Sequence, residues 1–101
     1  MSPTQTPWQL APRARLTWRR WGESAVVFNA ASGDTHSLNL LERTALACVE
    51  DRQPISAGEL ARRVAEELEI DADEALSRYL DALLAQFDEV GLVVPAPPCR
   101  S

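Results

Sequence analysis

The chain has 101 residues, 46% of them hydrophobic and 25% charged, with a formal net charge of −5. This is enough for one hydrophobic core and too little for two, so one α+β domain is the expectation developed below. Apolar runs are only a few residues long, which excludes a membrane-spanning helix, and the start Met1-Ser2-Pro3-Thr4 resembles no secretory signal, so a cytoplasmic protein without a membrane partner is expected.

In chain order, residues 1–12 lack periodicity and are expected to form a flexible segment, although Trp8 and Leu10 offer two apolar anchors. From Arg15 to Trp21 the residues alternate, with Leu16 and Trp18 on one face and Thr17, Arg19 and Trp21 on the other, the period of a strand. Gly22-Glu23 then forms a two-residue turn. Glycine in the first central position suits a type II′ hairpin, so strands near 15–21 and 24–29 are expected to pair antiparallel. A looser turn over Ala30–Gly33 returns the chain as a short third strand at Thr35–Leu38. The result is a three-stranded antiparallel meander whose third strand has an open edge. Such an edge accepts an added strand from another chain.

Three helices follow. Asn39 with Glu42, Ser56 with Glu59, and Asp71 with Glu74 each carry the spacing of a capping box and predict the three starts. The apolar stripes are Leu41, Ala45, Cys48 and Val49; then Leu60, Val64 and Leu68; then Leu76, Leu80, Leu83, Phe87 and Val90. Gly91 stands where a helix C-cap is expected. The segment 95–101 holds three prolines and is expected to be a disordered tail, leaving 13–94 as the folded domain.

Charge is uneven along the chain. Residues 1–21 carry four arginines and no acid, whereas 71–91 carry six acids against Arg78. The last helix would be repelled by a phosphate backbone, so no nucleic-acid partner is expected. The two cysteines, Cys48 and Cys99, form neither a disulfide framework nor a metal knuckle, and no cofactor or metal site is expected. His36 is the only histidine and shares a strand face with Asp34. No serine or cysteine nucleophile has a context that would make it catalytic, so the chain reads as a non-enzyme. A polar contact at a groove rim, or a hydrogen bond that steadies the turn, are the open readings for this histidine.

The run Val26-Val-Phe-Asn-Ala-Ala-Ser-Gly-Asp-Thr-His-Ser-Leu-Asn39, the helix that follows it, and the closing Gly91-Leu-Val-Val-Pro95 resemble the PqqD-like family. Gly33-Asp34-Thr35-His36 with Leu38 resembles more narrowly its branch associated with an HPr-related kinase A (HPr-rel-A) system. The resemblance spans about residues 10–95. It implies a winged-helix-like domain, a three-stranded meander followed by three helices, that acts as a peptide chaperone or recognition element. In such proteins a precursor's leader peptide adds to the third strand and rests against the third helix.

Carried onto this chain, the resemblance makes Asp34, Thr35, His36, Ser37 and Leu38 the strand side of a peptide groove. Ala75, Tyr79, Ala82 and Gln86 form the helix side, with Tyr79 alternatively an ordinary aromatic at the core edge. The implied partners are the leader peptide and a modifying enzyme or HPr-related kinase system protein; the oligomeric state stays open. Trp18, Arg19, Arg20 and Trp21 on the first hairpin are candidates for docking that partner. Two alternatives stand beside this reading. Ser56–Glu67 followed by Asp71–Glu89 also fits a helix-turn-helix, giving a winged-helix DNA-binding regulator, although its recognition helix is acidic and its wing precedes the helices. The other is a structural accessory subunit docked on an enzyme.

Overall fold

A computed structural model describes residues 6–12 and 14–96. The elements run β1 (Pro7–Leu10), β2 (Leu16–Trp21), β3 (Ser24–Asn29), β4 (Asp34–Leu38), α1 (Leu40–Arg52), β5 (Ile55–Ser56), α2 (Ala57–Leu68), α3 (Glu74–Glu89) and β6 (Val93–Pro95). The expected α+β architecture is present: strands β2, β3 and β4 form an antiparallel meander in that order, and three helices follow. The meander's third strand is β4, at the edge of its sheet.

Local chemistry explains the turns. Trp21 pairs with Ser24 around Gly22-Glu23, and Gly22 takes the positive φ of 52° that a type II′ start requires. At the second turn Asn29 is buried, and its side-chain Oδ1 accepts hydrogen bonds from the backbone N–H of Arg15 and of Ala31, both at 3.1 Å. Asn29 thereby ties the start of β2 to the β3–β4 loop.

Asn39 and Glu42 form the expected capping box of α1, the Glu42 N–H donating to Asn39 Oδ1 and the Asn39 N–H to Glu42 Oε1, both at 2.8 Å. Ser56 caps α2 by accepting from the Glu59 N–H, while the Glu59 carboxylate turns outward to Arg62 and Arg63. The third cap differs from expectation. Asp73 holds the position, accepting from the Leu76 N–H at 2.9 Å, and α3 starts at Glu74. After α3, Gly91 at φ 82° lets the Leu92 N–H donate back to the Phe87 carbonyl, a Schellman-type stop.

The core joins Ala25, Val27 and Leu38 of the meander to Leu46, Val49, Leu60, Val64, Leu80, Leu84 and Phe87 of the helices. Leu46 and Leu84 are fully buried although they lie off the expected stripes, whereas Val90 is 37% exposed and Cys48 is only partly buried. Burial raises the Cys48 thiol pKa, with the nearby Glu67 carboxylate adding to the effect.

A second small sheet corrects the expectation of flexible ends. Strand β1 lies between β5 and β6, with Trp8 opposite both Ile55 and Pro95. The Ala11 N–H donates to the Leu92 carbonyl and the Ala96 N–H to the Pro7 carbonyl, which closes the sheet at both ends. Trp8 and Leu10 pack on the core beside fully buried Leu92 and Val93. Residues 7–11 and 95–96 are therefore structured; residues 1–5 and 97–101 of the expected flexible ends lie outside the described residues.

Candidate functional site

The ladder pattern of the meander determines what β4 offers at its free side. A two-residue hairpin loop makes Trp21 and Ser24 a hydrogen-bonded pair, so Ser24, Val26 and Phe28 bond toward β2. The Ala30 N–H bond to the Arg15 carbonyl continues the same alternation. Ala25, Val27 and Asn29 therefore bond toward β4, to Leu38, His36 and Asp34. That leaves Thr35 and Ser37 with their amides and carbonyls directed away from the sheet. No strand lies beyond β4 among the described residues.

Side chains alternate in step. Asp34, His36 and Leu38 share the face of buried Ala25, Val27 and Asn29, and Thr35 and Ser37 occupy the opposite, exposed face. Between β4 and the end of α3 lies a cavity of about 230 Å³, lined by Thr35 to Leu38, Glu42, Gln86, Phe87, Val90 and Leu92. It is smaller than the roughly 300–1,000 Å³ of a site for a drug-sized ligand, and of a size for one or two side chains.

The structure thus brings five expected residues together, Thr35, His36, Ser37, Leu38 and Gln86. Asp34 stands on the same strand outside the cavity wall. Ala75, Tyr79 and Ala82 do not line the cavity; they continue the Gln86 stripe toward the start of α3 as an exposed row, with Tyr79 38% exposed. The wall contributed by Glu42, Phe87, Val90 and Leu92 was not anticipated. Glu42 was legible only as a cap, and Phe87 and Val90 carry the helical spacing of core residues.

The first-hairpin candidates divide between two faces. Trp18 and Arg20 point to the core side, where the Arg20 guanidinium lies 4.7 Å from the centroid of the Trp18 ring. Arg19 and Trp21 lie on the outer face with Phe28, and Trp21 is 58% exposed. They do not form one patch. Two further clefts exist. One of about 310 Å³ is bounded by Arg20, Arg43, Thr44, Cys48, Asp51 and Glu67. Another of about 510 Å³ runs between the β2–β3 turn, Leu41, Leu68 and Ile70.

Among the described residues no group of three or more His, Cys, Asp or Glu is placed to hold a metal ion. No helix there is long and apolar enough to cross a membrane.

The meander, the three helices and the groove at β4 define a small winged-helix-like α+β domain. No protein-family model matches the chain, and no curated protein matches it. Among solved structures it is similar to TbiB1 in complex with the TbiA(beta) leader peptide, with a TM-score of 0.68, 12% sequence identity, and coverage of 89% of this chain and 99% of that one. At that identity the likeness shows a shared fold.

Proposed function

We propose that this protein is a non-catalytic peptide-binding adaptor of the PqqD-like kind. It captures the leader segment of a precursor peptide by strand addition to β4 and presents it to a partner modifying enzyme. The observation that carries this reading is the free edge of β4, with the main chains of Thr35 and Ser37 turned outward beside α3. It is supported by the fold shared with TbiB1, a protein solved with a leader peptide bound. The HPr-related kinase branch and a cytoplasmic setting belong to this proposal.

The energetics are adequate. Thr35 and Ser37 supply two donors and two acceptors, and four hydrogen bonds at about 0.5–1.5 kcal/mol each give about 2–6 kcal/mol. Two peptide side chains buried in the groove add about 1.5–3 kcal/mol each. After the cost of ordering the peptide, the total is in the range of the roughly 8 kcal/mol of a micromolar complex.

The test is binding of peptides selected from a random 12-residue display library, measured by fluorescence polarisation. Ser37→Pro removes an outward amide without taking one from the β3–β4 ladder, and Ala82→Arg places a long cation on the exposed face of α3. Both should abolish binding with little change in thermal midpoint, while Asp51→Arg, at the exposed end of α1, should bind like the parent. Equal binding by all three variants would refute the assignment.

A further inference from the structure

We infer that the cavity between β4 and the last turn of α3 is a pocket for a basic side chain, lysine or arginine, of the incoming peptide; this rests on the reading of β4 as the edge to which that peptide adds. Among the described residues the one charged group that lines the cavity is an acid, and two more acids stand on the elements that form it. Glu42 lines it, Asp34 shares the strand face of His36, and Glu89 lies three residues beyond Gln86 on the same helical stripe. No arginine lines the cavity, and the chain contains no lysine.

These acids are also uncompensated. Ion pairs among the described residues join Arg52 to Asp51, Arg62 and Arg63 to Glu59, and Arg78 to Glu74. None involves Asp34, Glu42 or Glu89. Glu42 uses Oε1 to receive the Asn39 amide, which holds the side chain in place and leaves Oε2 without a bond among the described residues. A carboxylate fixed by a helix cap at the wall of a small cavity is a preorganised acceptor for an ammonium or guanidinium group.

His36 supplies the second observation. Its Nε2 is buried and has no hydrogen-bond partner among the described residues, although the residue lines the cavity. Buried polar groups are nearly always paired, so an unpaired one at a cavity wall calls for a partner. No hydrogen bond from Nε2 commits the imidazole to another partner among the described residues. Glu42, His36 and the Gln86 carboxamide oxygen then offer acceptors around a floor of Leu38, Phe87, Val90 and Leu92. The apolar floor suits the methylene stem of a long basic side chain and the polar rim suits its head.

The experiment selects binders from a random 12-residue peptide library on the native protein, then measures them by polarisation with the parent, Glu42→Gln and Ser37→Pro. Glutamine serves at this position of a capping box, so Glu42→Gln removes the charge and retains the cap. The expected result is enrichment of lysine or arginine at one register position. Replacing that residue by norleucine should weaken binding about tenfold, and Glu42→Gln should erase the preference. Peptides that are lost with Ser37→Pro yet show no basic position would overturn the pocket and leave strand addition standing. Binding indifferent to Ser37→Pro, or the absence of any selected peptide, would overturn both.

Discussion

Trp18 and His36 stand opposite each other across Val27, one residue from each strand of the meander in a single row, and each leaves a buried ring nitrogen without a hydrogen-bond partner. An unpaired buried polar atom costs about 1–3 kcal/mol, so this row holds stability in reserve. His36→Leu should raise the urea midpoint while weakening peptide binding, the trade expected where a destabilising group serves a site. Trp18→Phe discards an N–H that has no partner to lose, and should change stability by no more than about 1 kcal/mol. Equilibrium unfolding followed by circular dichroism measures both. A lower urea midpoint for His36→Leu would contradict the reading of its Nε2 as unpaired.

Asn29 presents the opposite case, a buried side chain whose oxygen is fully used. Asn29→Ala strips two backbone amides of their acceptor and should cost about 2–4 kcal/mol, with the denaturant slope unchanged. Asn29→Asp preserves the acceptor oxygen of both bonds and should be the milder change.

The helix ends separate neighbouring residues sharply. Asp73→Ala should cost about 1 kcal/mol through loss of the cap on α3, while Asp71→Ala, outside the helix, should be close to neutral. At the end of α2, Glu69 sits in the left-handed region at φ 55°, where glycine is unstrained. Glu69→Gly should therefore stabilise by about 0.5–1 kcal/mol, and Glu69→Gln, which removes only the charge, should not. Thermal unfolding of the four variants distinguishes these outcomes.

Features decided by neighbours along the chain were legible in the sequence. The Gly22-Glu23 hairpin, the Asn39–Glu42 box and the Gly91 stop each depend on a few adjacent residues, and each stands where the pattern places it. The β5-β1-β6 sheet was not legible, because its two or three residue pairs per ladder join segments more than forty positions apart. The third cap was misplaced because Asp71 with Glu74 has the capping-box spacing, whereas the cap that forms is Asp73, which accepts from the Leu76 N–H. For the candidate site, β4 was readable as an edge strand and Gln86 as its neighbour. Glu42 was hidden because its capping role fully accounts for it in sequence, and Val90 because a helical period cannot show where the core ends.

The most direct test of strand addition is amide hydrogen exchange, residue by residue, with and without a selected peptide. The free edge of β4 turns out the Thr35 and Ser37 amides, while at the other edge of the meander β2 turns out those of Leu16, Trp18 and Arg20. Bound peptide should slow exchange at Thr35 and Ser37 and leave the three β2 amides unchanged. Protection at Leu16, Trp18 and Arg20 with β4 unaltered would contradict the account and move the binding edge to the opposite side of the sheet.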